Sequence, residues 1–247
     1  MTIDFMEALA IQSWCFRGFK THDEVTAALG ECGVSRIELS HAHYKPWEAG
    51  DHREIVDYYR RRGVAISCYG AFGIAGDEEK ARKVFDFAKT AGFDTIVVMF
   101  GQGGLETGEK LCAEYGKRIA VHNHGRHDPD GSVWRIEELL AGSSPNVGLC
   151  LDTAWMIDSG EDPVKVAEKF ADRLYGVHIK DFVFDRAGKH SDVVVGTGNL
   201  DLPGFLKTLR RIDFNGFFTL EYEGDVNDPI PATKKCVEAI RRAAEAL

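Results

Sequence analysis

The sequence predicts an α/β protein of the (β/α)8 barrel class, the TIM-barrel fold, on three observations. Short apolar runs rich in β-branched residues alternate with longer helical stretches of mixed charge, which is the pattern of βα units. Eight such units share the 247 residues, and about 31 residues per unit is close to the ~250 residues typical of this barrel. No linker-like or low-complexity segment interrupts the pattern, so residues 1–247 are predicted to form a single domain.

A doubly wound open sheet is the competing α/β fold. Its dinucleotide-binding form carries a G-x-G-x-x-G turn between a strand and a helix. The glycine-rich turns of this chain, at 101–104 and 196–198, do not have that spacing. The barrel is therefore the favoured prediction.

The elements follow the apolar runs in order. Asp23, Asp51 and Asp77 stand at N-cap positions, and Pro163 and Pro203 suit first-turn positions of helices. The predicted strands span 11–16, 36–40, 64–70, 95–100, 118–125, 147–152, 174–181 and 217–223. The predicted helices span about 23–32, 51–62, 77–91, 106–116, 134–141, 162–171, 201–211 and 228–246.

Composition argues against two classes of partner. With 30 Lys and Arg against 39 Asp and Glu, the chain has a formal charge of −9, and we find no basic stripe of the kind that binds nucleic acid. The N-terminal segment carries Asp4 and Glu7 where a secretory signal would be basic and then apolar. The longest apolar runs of the chain, such as Thr95 to Phe100, are far shorter than the ~20 residues of a membrane helix. We expect a cytoplasmic protein with no membrane partner.

The cysteines indicate reduced thiols. The six cysteines are scattered singly, without a C-x-x-C pair, in a chain too long to be a small disulfide-stapled scaffold. They are Cys15, Cys32, Cys68, Cys112, Cys150 and Cys236.

Alternation along the last four barrel strands before the C-terminus predicts which side chains face the barrel interior. In each strand the inward residues change from small to ionisable toward the carboxyl end, the face where barrel enzymes keep their active sites. The second strand adds Glu38, and the third strand can add Ser67 and Tyr69. The four inward sets are Ala120, His122 and His124; Gly148, Cys150 and Asp152; Gly176, His178 and Lys180; and Thr219, Glu221 and Glu223.

Four of these groups have the chemistry of a metal site. His122, Asp152, His178 and Glu221 offer two imidazoles and two carboxylates, a set suited to one divalent ion such as Mn²⁺, Zn²⁺, Co²⁺, Mg²⁺ or Fe²⁺. A cation would offset the cost of burying these ionisable groups together. The nearby His124, Lys180, Asp181 and Glu223 are candidates for proton transfer or for orienting the ligands.

Such a site suits chemistry next to a carbonyl. A single ion can hold adjacent oxygens of a polyol and polarise a carbonyl as a Lewis acid. A neighbouring base can then remove the adjacent proton and leave a metal-stabilised enediolate. The reaction is an isomerisation, an epimerisation or an elimination, depending on where the proton returns or whether a β-oxygen leaves.

Seven motifs carry a family resemblance that covers essentially the whole chain. They are IQSWCF at 11–16, RIELS at 36–40, HNHG at 122–125, LDTAW at 151–155, HIKD at 178–181, GTGNLD at 196–201 and LEYEGD at 220–225. In this order they resemble the xylose isomerase-like barrels grouped as sugar phosphate isomerases/epimerases. That family includes tagatose 3-epimerase and inosose dehydratase types and, more distantly, endonuclease IV.

The resemblance implies one divalent metal held by Glu, Asp, His and Glu at the ends of the last four strands. Asp152, His178 and Glu221 match three of these ligands, with Glu221 also implied as an acid/base group. The departure is His122, where the family usually has a Glu that also serves as an acid/base group. We expect His122 to ligate the ion and His124 to act as the base.

Two points of this site stay open at the sequence level. Both Glu221 and Glu223 point inward, and the order within the motif favours Glu221 as the ligand. Trp155 stands where the sugar epimerases often carry a polar residue, and it either forms a platform for a sugar face or packs under a loop.

Further residues are predicted to bind substrate or cover the site. Two polar, glycine-bearing loops, 125–134 and 182–200, resemble lids. Their charges, Arg126, Arg186 and Lys189, either meet a substrate phosphate or carboxylate or are simply solvated. With Lys180 as a further catalytic candidate, the predicted substrate-binding residues are Trp14, Phe16, His41, His43, Tyr69, Trp155 and Glu223.

The leading hypothesis is a metal-dependent isomerase or epimerase of a sugar, keto-sugar or sugar phosphate. The alternative that the His122 departure motivates is a lyase or dehydratase acting on a keto-polyol or 3-keto-glycoside. Two other classes are a phosphodiester nuclease of the endonuclease IV kind, which the acidic balance disfavours, and a barrel that binds sugar without turnover. A homo-oligomer is compatible with each of them.

Overall fold

Eight parallel strands close into a barrel in the computed structural model, which describes residues 3–247. They are β1 (Leu9–Gln12), β2 (Arg36–Leu39), β3 (Ala65–Ile74), β4 (Thr95–Phe100), β5 (Arg118–His122), β6 (Val147–Asp152), β7 (Leu174–Ile179) and β10 (Phe217–Leu220). Neighbours in sequence are neighbours in the barrel, and β10 closes it against β1. The predicted fold class is confirmed.

Helices connect the strands on the outside of the barrel. The larger helices begin and end within two residues of their predicted bounds. The predicted N-caps Asp51 and Asp77 are present. The prediction for Asp23 is wrong, because Thr21 caps that helix in a capping box with Glu24 and Asp23 lies in its first turn. They are α2 (His22–Cys32), α3 (His52–Arg61), α4 (Glu78–Ala91), α5 (Gly104–Tyr115), α6 (Val133–Ala141), α8 (Pro163–Lys169), α9 (Leu202–Arg211) and α10 (Ile230–Glu245).

The structure adds short elements that the sequence pattern does not predict. A short helix α1 (Phe5–Ala8) precedes β1, and α7 (Thr153–Asp158) follows β6 directly. The segment 182–192 forms a two-stranded antiparallel hairpin of β8 (Phe182–Phe184) and β9 (His190–Asp192). The 3-10 turns are Ser13–Phe16, Pro46–Glu48 and Ala171–Arg173. The carboxyl end of the barrel is therefore formed by the last four barrel strands together with α7 and the β8–β9 hairpin.

The core has two layers, as the alternation of strand side chains requires. The larger layer lies between the strands and the surrounding helices. The inside of the barrel holds a small cluster of Cys68, Val97, Ala120 and Cys150. The small inward residues leave room for the larger polar side chains above them. At Gly176 a Cβ atom would lie 1.8 Å from the Phe217 ring, so only glycine allows the two strands their present packing.

The structure also describes the state of the cysteines and the apolar character of the helices. All six cysteines are buried free thiols, in agreement with the prediction of unpaired cysteines. Within residues 3–247, no helix combines the length and the apolar character that crossing a membrane demands.

Candidate functional site

Four predicted side chains meet at the carboxyl end of the barrel. His122, Asp152, His178 and Glu221 each place one potential ligand atom within 4.8 Å of the others. The His122 Nε2 atom lies 3.0 Å from His178 Nδ1 and 3.6 Å from Asp152 Oδ2, and His178 Nδ1 lies 3.0 Å from Glu221 Oε2. All four side chains are buried. Among the described residues they form the one group that could hold a metal ion.

The strand ends fix these side chains in different ways. Asp152 closes β6 and is also the N-cap of α7, where its Oδ1 accepts a hydrogen bond of 2.9 Å from the Trp155 backbone. The Asn123 side chain hydrogen-bonds both backbone groups of Asp152: its Oδ1 accepts from the Asp152 N–H at 2.8 Å, and its Nδ2 donates to the Asp152 carbonyl at 3.1 Å. The two bonds to Asn123 fix the backbone at Asp152, and the cap leaves Oδ2 directed at the cluster.

His178 is oriented from below by a buried carboxylate. Its Nε2 lies 3.0 and 3.1 Å from the two oxygens of Glu38, which is fully buried and also accepts a 2.7 Å hydrogen bond from Gln12. A proton held on Nε2 leaves the lone pair on Nδ1, the atom that faces the cluster. The sequence indicates Glu38 by strand alternation, whereas the contribution of Gln12 has no sequence signal.

The charges of the cluster are strongly coupled. Burial alone would raise the pKa of Glu221, but Lys180 and His178 lower it well below its ordinary value. Burial opposes a charged His122, yet the carboxylates of Asp152 and Glu221 raise its pKa. Glu221 is thus held as a carboxylate, the form that a metal requires.

The residues present fit a divalent cation. The buried Asp152 Oδ2 atom has no hydrogen-bond partner within the protein, which is costly for a carboxylate unless a positive charge lies beside it. Mixed imidazole and carboxylate ligands suit borderline divalent ions. Among the two glutamates that the sequence leaves open, Glu221 lies in the cluster. Glu223 instead pairs with Lys180 and accepts a 3.0 Å hydrogen bond from Trp14 Nε1.

Lys180 is a buried cation beside this cluster. Burial would lower the pKa of Lys180, but Glu221, Asp152 and Glu223 raise it above its ordinary value. Its ammonium group lies 5.5 Å from the centre of the Trp155 ring and contacts Glu223, which fixes the position of that carboxylate. Lys180 is therefore placed to hold Glu223.

An inner cavity of about 280 Å³ lies over the cluster. His124, which the sequence predicts as the base, lies on its wall with a ring centre 4.6 Å from that of His122. Burial and the neighbouring His122 lower the pKa of His124. Of the predicted substrate-binding residues, Trp14, His41, Trp155 and Glu223 line this cavity. Gln12, Ser40 and Met99 also line it, and the sequence reasoning did not identify them.

Three predicted wall residues lie elsewhere. The register shift between β2 and β3 occurs between Ile37 and Glu38, and it reverses the alternation, so that Cys68 faces inward and Tyr69 packs outward against Phe87. Phe16 belongs to a 3-10 turn rather than to β1, and its ring stacks on Phe19 in the outer core. His43 does not line the inner cavity. These positions correct the sequence prediction.

A larger cavity of about 620 Å³ adjoins the inner one. Its walls come from the loop after β5, from α7 and from the β8–β9 hairpin. Arg126 in this loop is bound by Asp158 of α7 through its backbone N–H at 2.9 Å and its guanidinium at 2.8 Å. The two loops predicted as lids therefore line one cavity between them. Its lining residues are Met99, His124, Gly125, Arg126, His127, Asp128, Trp155, Asp158, Ala187, Gly188, Lys189 and His190.

Comparisons with known proteins agree with this architecture. The chain is 29% identical over 152 residues to the rhizopine catabolism protein MocC of Rhizobium meliloti, which covers 54% of this chain and 45% of that protein. It is 28% identical over 156 residues to the inosose dehydratase of Geobacillus kaustophilus, covering 56% of this chain and 50% of the enzyme. The chain thus spans about half the length of the curated relatives it matches.

A solved structure shows the same fold over almost the whole chain. The IolI protein with a bound zinc atom superposes with a TM-score of 0.77 over 96% of this chain and 98% of its own, at 14% identity. The Xylose isomerase-like TIM barrel family matches residues 26–245. The chain therefore belongs to the xylose isomerase-like TIM barrel family.

Proposed function

We propose that this protein is a metal-dependent enzyme that removes the proton next to the carbonyl of a keto-sugar or keto-polyol. The observation that carries the proposal is the buried group of His122, Asp152, His178 and Glu221 beneath a cavity lined by acid/base side chains. These four residues would hold one divalent ion, which supplies Lewis-acid polarisation of a carbonyl when bound. The zinc atom in the IolI structure supports an ion of that kind.

The chain's own residues divide the remaining tasks. His124 is the proposed base, because its imidazole reaches the inner cavity beside the ligand group. Glu223, held by Lys180 and Trp14, presents a fixed carboxylate to the hydroxyl groups of the substrate. Trp155 and Trp14 provide apolar surface for a sugar ring. Glu221 serves as a ligand and contributes its negative charge to the same wall.

Elimination is the outcome that the site favours. His122 stands where the family resemblance implies a carboxylate, so the pair of opposed carboxylates is incomplete. A single imidazole suffices for elimination, because the proton that His124 takes from carbon can be given to the departing hydroxyl group, which leaves as water. The dehydratase name of the relative from Geobacillus kaustophilus supports this reading.

Isomerisation or epimerisation is the second candidate. It requires that the proton return to carbon, and for epimerisation that a second group act from the opposite face. Glu223 and Glu221 both reach the inner cavity that His124 lines, so the chain offers such groups. A phosphodiester nuclease would need several metal ions, whereas the described residues 3–247 supply one candidate group of ligands.

Solvent isotope exchange combined with product analysis tests the proposal. The protein, loaded in turn with Zn²⁺, Mn²⁺ or Co²⁺, is incubated in D₂O with a panel of inososes, keto-hexoses and 3-keto-glycosides. We expect loss of the carbon-bound proton and formation of an unsaturated ketone. Deuterium incorporation without loss of water would support the isomerase instead, and absence of both exchange and product across the panel would overturn the proposed function.

The variant His124→Asn tests the assignment of the base. We expect a decrease in kcat of about 10²–10⁴-fold, the usual contribution of a general base, with unchanged metal content. His52→Asn is the matched control, because His52 lies in α3 and lines neither cavity. Equal rates in His124→Asn and the wild-type protein would refute the assignment.

A further inference from the structure

The inner cavity and its larger neighbour share part of their walls. Met99, His124 and Trp155 line both of them, so these three side chains form the boundary between the metal ligands and the larger cavity. A substrate bound beside the candidate metal ligands can therefore extend past His124 and Trp155 into the larger cavity. The proposed reaction uses only the inner cavity, which leaves the larger one without a role.

The sizes of the cavities differ in a way that suits a two-part ligand. The inner cavity of about 280 Å³ is below the usual range for ligand pockets and holds little more than one small ring. The adjoining cavity, at about 620 Å³, is within that range by itself. A free monosaccharide would leave most of the combined space empty.

The lining of the larger cavity favours an uncharged ring over a phosphate. The guanidinium of Arg126 is already paired with Asp158. The lining also contains one further cation, Lys189, and one further carboxylate, Asp128, so the wall has no excess of lysine and arginine over carboxylates for a phosphate. Trp155 is half-buried and packs edge-on against His190 at 4.7 Å and Phe182 at 5.0 Å between ring centres. Such a fixed aromatic surface suits stacking against a ring.

The two segments that form this cavity are held in place. The hairpin is anchored at its base by Asp181, whose carboxylate accepts hydrogen bonds from the backbones of Gly196, Gly198, Asn199 and Leu200 at 2.8–3.0 Å. On the other side, Gly125 approaches Asp158 so closely that a Cβ atom would lie 2.2 Å from its Oδ2. Hydrogen bonds and close packing therefore fix the two segments that line the cavity.

We propose that the larger cavity is a second subsite, which receives an uncharged ring joined to the reacting sugar. The preferred substrates are then glycosides, in which a sugar bound at the inner cavity carries an aromatic or carbohydrate substituent, rather than free sugars or sugar phosphates. This inference rests on the proposed function for the position of the reacting ring. The second subsite adds a substrate class, glycosides, to that function.

Equilibrium binding of unreactive ligands tests the subsite independently of turnover. The Zn²⁺-loaded protein is titrated by calorimetry with a panel of free hexoses and inositols, with their phenyl glycosides or phenyl ethers, and with the corresponding sugar phosphates. Tryptophan fluorescence provides a second readout through Trp155. We expect phenyl derivatives to bind at least about tenfold more tightly than the free sugars, the usual effect of filling an apolar pocket.

Substitutions in the β8–β9 hairpin locate the effect. Ala187→Trp places a large side chain at an exposed position of the cavity wall and should weaken binding of the phenyl derivative about tenfold, while binding of the free sugar changes less than about twofold. Val183→Trp is the matched control, since Val183 is an exposed residue of the same hairpin that lines neither cavity. Lys189→Trp repeats the test from another wall position if Ala187→Trp lowers the Tm.

The outcomes separate this inference from the proposed function. Equal binding of sugars and phenyl derivatives, tighter binding of sugar phosphates, no binding of any member of the panel, or equal weakening of both ligand classes by Ala187→Trp would each overturn the subsite. If the phenyl preference holds but no substrate exchanges its proton in D₂O, the proposed function fails and the subsite remains. Exchange that is equally fast on free sugars and glycosides, without a binding preference, refutes the subsite alone.

Discussion

At the scale of single residues, Glu38 shows how a side chain outside the ligand group can govern it. The carboxylate is fully buried at the end of β2, where both of its oxygens lie within 3.1 Å of His178 Nε2. A histidine that donates one ring proton to a carboxylate is oriented and made a stronger ligand through its other nitrogen. Glu38 is thus a positioning residue for the candidate metal centre.

Glu38→Gln should weaken metal binding without removing a ligand. The amide keeps the shape of the side chain but cannot carry the negative charge that faces His178 Nε2. We expect the affinity for Zn²⁺ to fall by about 10–100-fold, as is usual for partners of metal-bound histidines. Competition with a chromophoric chelator measures this directly. Glu48→Gln, at an exposed position of a 3-10 turn, is the control, and equal affinities in the two variants would contradict the positioning role.

At the scale of elements, Asp181 joins the end of β7 to the segment that follows the hairpin. Its buried carboxylate accepts four backbone hydrogen bonds from residues 196–200, so one side chain replaces the pairing that a regular strand would provide. These bonds close the base of the β8–β9 hairpin. The shape of the larger cavity depends on this connection.

Asp181→Asn should therefore lower the free energy of unfolding. An amide can accept through one oxygen only, so some of the four N–H groups would lose their partner in a buried environment. We expect a loss of about 2–4 kcal/mol, since hydrogen bonds to charged groups are worth about 1.5–3 kcal/mol each. Urea unfolding measures the loss. Asp172→Asn, at an exposed position outside the site, should change stability by less than about 0.5 kcal/mol, and a similar value for Asp181→Asn would show that the connection is dispensable.

The ion pair between Asp158 and Arg126 should make part of the stability depend on pH. Burial raises the pKa of Asp158, but hydrogen bonds from the Arg126 side chain and backbone bring it below its ordinary value of 3.8. A carboxyl group whose pKa is lower in the folded state stabilises the protein above its unfolded pKa. That contribution disappears as the pH falls through the folded pKa.

Asp158→Asn is accordingly expected to cost stability at neutral pH and less in acid. The difference in the free energy of unfolding from the wild-type protein should be about 2 kcal/mol at neutral pH and should shrink below about pH 4. Urea unfolding at a series of pH values measures it, with Asp172→Asn as the reference. A difference that grows as the pH falls would have the wrong sign for this ion pair.

The same scale shows what the sequence can and cannot predict. Alternation places His122, Asp152, His178 and Glu221 on one face because the strand pairing close to these residues is regular. The register shift between β6 and β7 lies before Cys150, and Glu221 continues the pairing of β10 by donating its backbone N–H to the Ile179 carbonyl. Alternation fails for Tyr69, because the register shift beside Glu38 cannot be read from a pattern of period two. Phe16 is misplaced for a similar reason, since β1 passes into a 3-10 turn.

At the scale of the whole molecule, an acidic chain concentrates two of its carboxylates and two imidazoles at one end of a closed barrel. The formal charge is −9, and Asp152 and Glu221 are buried rather than spread over the surface. Lys180 supplies one internal positive charge, but it is directed at Glu223. Asp152 and Glu221 therefore favour a nearby positive charge, which a proton on His122 supplies in part and which a divalent cation would supply instead.

Metal binding should for this reason stabilise the entire fold. A ligand that binds only the folded state at about 100 times its Kd adds about 2.7 kcal/mol, which corresponds to a rise in Tm of roughly 5–10 °C for a chain of this length. Thermal unfolding of the chelator-treated protein with and without Zn²⁺ measures the shift. Glu221→Gln removes a ligand and should abolish it, whereas Glu238→Gln, on the exposed face of α10, should retain it. An equal Zn²⁺-induced shift in both variants would show that the ion binds elsewhere, because only a site built from the strand ends can link Glu221 to the stability of the barrel.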